Sequence, residues 1–261
     1  MDWQSLPKGF LGAVDYSTRF NFPLTPHEIW FWQVGTNYSK NKVPSSLIKP
    51  VNRSSLEKIS RQKWTIATKN IPILSHNPFI LAIFITGSLA VNNCTPNDDI
   101  DLMIISAPHT LWLSRLWSIL SLSYRGLRRP SHLPEHSSPK VKDTFCDNLY
   151  LDLSNLHINE QNLYIAHEIL QARPLHDPHH LHRKFLVQNS WVKKYLPVAY
   201  RETLKSTPPT KVISNHYLPF TYYFLLNLIA FIIQYLYMFP KITHEKISLH
   251  QAFFHPHKSV I

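Results

Sequence analysis

Phe79-Ile-Leu-Ala-Ile-Phe-Ile-Thr-Gly-Ser88, ten further residues, and then Asp99-Ile-Asp-Leu-Met-Ile-Ile105 form the stretch on which the fold turns. Residues 79–86 are a continuous apolar run rich in aromatic and β-branched side chains, which predicts a buried strand. Asp99–Ile105 predicts a second strand and Asn148–Leu153 a third. Alternate residues of a strand share a face, so Asp99 and Asp101 project together, with Ile100 and Leu102 on the other side. Two carboxylates that close repel each other unless a cation lies between them. Oxygen-only ligands favour Mg2+ or Mn2+, ions that also bridge nucleotide phosphates. Gly87, having no Cβ, lets backbone approach a phosphate closely. Ser88 reads as the opening of a helix whose free N–H groups, with its own hydroxyl, attract anions.

An apolar strand, Gly87-Ser88, a ten-residue spacer and Asp99-x-Asp101 flanked by apolar residues resemble the signature of the polymerase β-like nucleotidyltransferase superfamily. The resemblance covers residues 79–155. It implies an α+β fold, with a short mixed sheet and helices, and metal-dependent transfer of a nucleoside monophosphate from a nucleoside triphosphate, ATP foremost, to a hydroxyl acceptor. Asp99 and Asp101 would hold Mg2+ or Mn2+, and Gly87 and Ser88 the phosphates. The superfamily adds a third carboxylate from a later strand. Here Asp147 shares a face with Leu149 and Leu151, while Asp152 shares the other with Asn148 and Tyr150, and Asp152 is favoured. The acceptor, whether protein, RNA or small molecule, is not legible. Leu89-Ala-Val-Asn-Asn93 departs from the pattern, because many members carry Arg and Gly there. A non-catalytic nucleotide-binding or regulatory protein on the same fold is the alternative.

Around this core, residues 1–75 read as a helical N-terminal region. Thr25-Pro-His-Glu28 is a capping box with Pro at N1, and a second helix starts at Ser54 or Ser55. Phe20–Trp30 is similar to the start of a winged-helix module that precedes some bacterial nucleotidyltransferase-domain proteins. Thr243–Pro256 resembles a C-terminal segment of that group. DNA contact is not expected, since no N-terminal helix shows a dense Arg/Lys face. Residues 76–158 form the core, with a helix from His109 to about Tyr124. The basic, Pro-rich loop Arg125–Lys142 follows, where Arg125, Arg128, Arg129, Lys140 and Lys142 read either as guides for an anion or as a solvated basic loop. Residues 159–261 read as helical.

The chain carries 27 Lys+Arg against 16 Asp+Glu, net +11, which suggests an anionic partner: nucleic acid, nucleotide phosphates or a lipid surface. Five Gly exclude glycine-loop cofactor folds, and 44% hydrophobic residues exclude disorder. Cys94 and Cys146 make neither a disulfide framework nor a zinc site, which fits a reducing cytoplasm. Asp177-Pro-His-His-Leu-His182 and His255-Pro-His257 are His-rich without the spacing of a known zinc module. His167 beside Glu168 is read either as a surface pair or as a group that supports a site from behind. From Val212 to Pro240 there is no Asp, Glu, Lys or Arg. Residues 217–239 are therefore long enough to cross a bilayer, but Pro219, Asn227, Gln234 and the tyrosines favour a buried or interfacial helix over a span.

Overall fold

The computed structural model describes residues 6–43, 52–130, 140–212, 220–243 and 245–254. The chain is a mixed α/β protein. Its helices are α1 (Lys8–Thr18), α2 (Pro26–Phe31), α3 (Ser54–Asn70), α4 (Pro72–Ser75), α5 (Gly87–Ala90), α6 (Leu111–Tyr124), α7 (Leu163–Gln171), α8 (Leu181–Gln188), α9 (Pro197–Ser206) and α10 (Phe220–Met238). Its strands are β1 (Ile80–Ile85), β2 (Ile100–Ser106), β3 (Phe145–Asp152), β4 (Arg173–His176), β5 (Lys246–Ile247) and β6 (Gln251–Phe253), in the order β4-β1-β2-β3-β6-β5. Only β2 and β3 run parallel; the other neighbouring pairs are antiparallel.

Two compact units share the chain: residues 1–54, 157–170 and 183–209 in one, and 55–156, 171–182 and 210–261 in the other. The sequence drew three consecutive blocks, whereas the chain passes between the units several times.

All described strands belong to the second unit. In β1 all six residues are buried, as its unbroken apolar run requires. Ile83, Ile85, Leu102, Ile104 and Tyr150 pack with Leu111, Trp112 and Leu122 of α6 and with Ala67 of α3. β4 lies at a sheet edge, the position where its Pro174 costs no ladder bond.

Helix α10 inverts the usual amphipathic pattern. Its buried side chains are Asn227, Ala230 and Gln234, while Leu225, Leu226, Ile229, Ile232, Ile233, Leu236 and Tyr237 are exposed. Asn227 Oδ1 accepts the Trp112 N–H at 2.7 Å, satisfying a donor at the first turn of α6. Gln234 accepts from Arg115 at 2.6 Å and donates to the Trp112 carbonyl at 2.8 Å. The polar residues that argued for a core helix are thus the ones turned inward, and the apolar residues face out. Only 17% of the apolar stretch is buried, so α10 is not a core helix.

In the first unit, Thr25 and Glu28 close the expected capping box at the start of α2. Leu6, Phe10 and Ile29 make a small core. The β-hairpin that a winged helix needs is not among the described residues of this unit. His167, a surface residue in one of its two sequence readings, is buried, stacked on Tyr16 with ring centroids 3.8 Å apart and leaning on Trp32 at 4.8 Å. Burial pushes its pKa down to about 3.

The unfolded chain takes up a proton at His167 near the ordinary value of about 6.5, while the folded unit refuses it. The stability this neutral ring supplies is therefore complete above that pH and drains away as pH falls towards 3. Between pH 6.5 and 5 the loss amounts to about 2 kcal/mol. Urea unfolding followed by tryptophan fluorescence at pH 7.5 and 5 should show His167→Phe losing less stability than the parent chain by about that amount; equal losses would remove His167 as the cause.

Candidate functional site

The antiparallel ladder of β1 and β2 ends with Ile85 opposite Leu102, and the Thr86 N–H then bonds to the Asp101 carbonyl at 3.1 Å. The next residue, Gly87, turns at φ +62°, a conformation that any other residue enters at a cost. A Cβ on Gly87 would collide with Asp101 Oδ2 and sit 3.2 Å from its Cγ. The turn and the second acid are pressed together. As alternation requires, Asp99 and Asp101 point the same way. Their carboxylates and the Cys146 Sγ lie within 4.8 Å of one another.

Charges converge on this point. Arg129 Nη1 contacts Asp99 Oδ2 at 3.0 Å, and both side chains are buried. The guanidinium is delivered by a short bridge of residues 127–129 onto the start of β3, in which the Arg129 N–H bonds to the Phe145 carbonyl at 2.9 Å. Asn148 donates to Asp101 Oδ1 at 3.0 Å. Beneath the Asp98–Asp99 loop the buried Lys63 ammonium donates to the Asp98 carbonyl and to Asp143 Oδ1, both at 2.7 Å. The Cys146 thiol is held protonated, first by burial and then by the charges of Asp101 and Asp99.

Ser88 differs from its expected role. Its hydroxyl donates to Asp98 Oδ2 at 3.0 Å and lies 3.3 Å from Cys94 Sγ, so it fastens the loop instead of facing a ligand. Asp98 also accepts from the Thr95 amide and hydroxyl. Helix α5 is four residues long, too short to gather the dipole that an anion would feel.

Asp152 is not at this site, which corrects the third-acid assignment. β2 and β3 pair with Asp101 opposite Cys146 but Ser106 opposite Asp152, about 17 Å further along the strand. The face is wrong as well. The register slips between Leu102–Asp147 and Met103–Leu149, leaving Asn148 as an extra residue. That bulge reverses the alternation downstream, so Asp147 shares its face with Tyr150, whose hydroxyl reaches it at 3.2 Å, and is paired with Arg128 at 3.0 Å. No carboxylate from β3 joins Asp99 and Asp101; Cys146 and Asn148 stand beside them. Simple alternation could not reveal the bulge. Arg129 was legible only as one cation in a basic loop.

Asp152 instead meets His109 and His250, the second group of three metal-capable side chains among the described residues. Asp177 accepts the Leu181 and His182 N–H groups at the start of α8 and belongs to neither group. His255 and His257 lie outside the described residues, as does the middle of the basic loop.

As a donor set, Asp99 and Asp101 suit one hard divalent cation, with its remaining positions left to ligands from outside the chain. The protonated soft thiol of Cys146 adds nothing for such an ion. With two acids, one already facing an arginine, the residues do not fit a clamp of two ions.

No protein-family model, no curated protein and no solved structure matches the chain. Gly87→Ala should cost more than about 1 kcal/mol in urea unfolding, because both the backbone angle and Asp101 must yield, whereas Ser88→Ala should cost about 1 kcal/mol. A neutral Gly87→Ala would mean that the turn does not need glycine.

Proposed function

We propose that the second unit binds the polyphosphate of a nucleoside triphosphate, with ATP as the first candidate, together with one divalent cation, at the turn formed by Gly87, Asp99 and Asp101. The observation that carries this reading is the contact of the positive-φ Gly87 with Asp101, whose carboxylate lies within 4.8 Å of that of Asp99. Asp99 and Asp101 hold the cation, which neutralises charge between them and the phosphates. Gly87 lets the turn close directly against Asp101, which sets that acid beside the site. Arg129, 3.0 Å from Asp99, supplies a fixed positive charge in a dry setting, where it counts for more than in water.

Binding is favoured over nucleotidyl transfer by what stands beside the two acids. A third carboxylate would bring a second ion or activate an acceptor hydroxyl, and Asn148 and Cys146 can do neither. Transfer to a hydroxyl acceptor is the second reading, supported by the order of strand, Gly-Ser turn and Asp-x-Asp, in which this chain is similar to the nucleotidyltransferases.

Calorimetric titration of the full chain with ATP and Mg2+ should give one site, with affinity lost by at least tenfold in the Asp99→Asn, Asp101→Asn double variant and on omission of Mg2+. Incubation with α-labelled ATP and cell lysate should leave the acceptors unlabelled. ATP binding indifferent to both acids would sink the site, while label on an acceptor that vanishes in the double variant would establish transfer in its place.

One helix, Tyr222–Lys241, is long and apolar enough by composition to cross a bilayer. We read it as lying in the plane of a membrane surface. Its polar stripe is spent on α6, which holds it alongside the sheet unit, and α6 itself exposes Leu116, Trp117, Leu120 and Tyr124. Each Leu or Ile so covered contributes roughly 1.5–3 kcal/mol, and the net charge of +11 suits anionic headgroups. In flotation with phosphatidylcholine–phosphatidylglycerol vesicles the chain should rise with the lipid, and Ile233→Lys with Leu236→Lys should leave it at the bottom. A parent chain that stays down and runs as a dimer would give this face to a second copy.

A further inference from the structure

A second binding centre lies at the other end of β3. His109, at the entry to α6, Asp152, the last residue of β3, and His250, in the turn before β6, come from distant parts of the sequence. Each offers one ligand atom, and these atoms all lie within 4.8 Å of one another. We infer that this trio binds a first-row transition-metal dication, zinc foremost, as two imidazoles and one carboxylate with a water in the fourth position.

The distances favour ligands over a plain ion pair. His250 Nδ1 stands 3.4 Å from Asp152 Oδ2. A charge-assisted bond between such groups closes to about 2.7–2.9 Å, whereas two ligands of a tetrahedral zinc at about 2.0 Å are spaced by about 3.3 Å. The ring centroids of His109 and His250 are 5.4 Å apart, with planes at 78°. Two imidazoles on one tetrahedral ion place their centroids about 5 Å apart.

The carboxylate is also oriented in advance. Asp152 is fully buried. Its Oδ1 accepts from the amide and hydroxyl of Ser154 at 2.8 and 2.6 Å, and its Oδ2 accepts the backbone N–H of His109 at 2.6 Å. Outer bonds of this kind fix a ligand's direction and tune the metal. The Asp152 N–H bonds to the His250 carbonyl at 2.9 Å, so the two residues are registered through the backbone too. His109 takes a left-handed backbone, φ +59°, and its ring lies 5.9 Å from that of Phe224. The His250 side chain is one-third exposed, which gives solvent a path to the open position. Imidazole donors select zinc, copper, iron or nickel over magnesium. This centre is therefore distinct in ion and in place from the pair Asp99 and Asp101, about 17 Å away along β2.

Calorimetric titration of the chelator-treated full chain with ZnCl2 should give one zinc per chain, and Co2+ in its place should develop visible ligand-field absorption. His250→Ala, at a partly exposed position that leaves the fold intact, should weaken zinc at least tenfold. His109→Asn, which keeps a residue tolerant of the left-handed turn, should do the same. Asp99→Asn with Asp101→Asn, and His179→Ala in the His-rich segment, should leave zinc binding unchanged. Absence of saturable binding, binding undiminished in His250→Ala, or binding abolished by His179→Ala would overturn the assignment.

Discussion

The rung between Thr86 and Asp101 decides the geometry of everything around it. It is the last bond of the β1–β2 ladder, and beyond it the chain must reverse at Gly87 directly against an acid side chain. A residue with a Cβ would push Asp101 aside. Asp101 would then leave the Asn148 amide, and the two carboxylates would no longer lie side by side. Local backbone conformation, strand pairing and the charge cluster are three aspects of one constraint.

Charge follows the same logic. Although the chain is strongly basic, several of its cations are not available to solvent or to distant partners. Lys63 is buried against Asp143 and the Asp98 carbonyl, Arg129 against Asp99, and Arg128 is partly covered against Asp147. Removing Arg129 or Asp99, the pair in which both members are buried, strands the other in a poor solvent, at a cost of about 3–5 kcal/mol. Of these pairs, Arg129–Asp99 bears directly on the acid pair and fixes one of its two carboxylates.

What could be read from the residues was whatever depends on period and on local chemistry. The apolar run before Gly87, the alternation in Asp99-Ile-Asp and the capping box at Thr25 each carry their own signal, and each forms the element expected. Asp152 was misplaced because a single extra residue at Asn148 reverses the parity of β3, and no composition rule announces a bulge. β4 was missed because Arg-Pro-Leu-His is short and contains proline. The burial of His167 is not legible in the sequence, since only tertiary packing brings Tyr16 and Trp32 onto its ring. Arg129 needed the bridge to Phe145, a contact made across a loop that sequence leaves unpaired. In α10 the hydropathy was legible, but its direction was not: the inward polar stripe exists only because α6 offers a free N–H at Trp112 and a guanidinium at Arg115.

β3 joins these themes. Its first residues stand beside the acid pair and its last is locked to His109 and His250, with the bulge between them absorbing one residue. The strand cannot slide to suit one end without ruining the other, because a shift of one position turns every side chain over. The two centres are mechanically geared, and sequence drift at either must respect the same count of residues between Cys146 and Asp152. An insertion or deletion in that interval, away from the extra residue at Asn148, would keep one end in register only by throwing the other out.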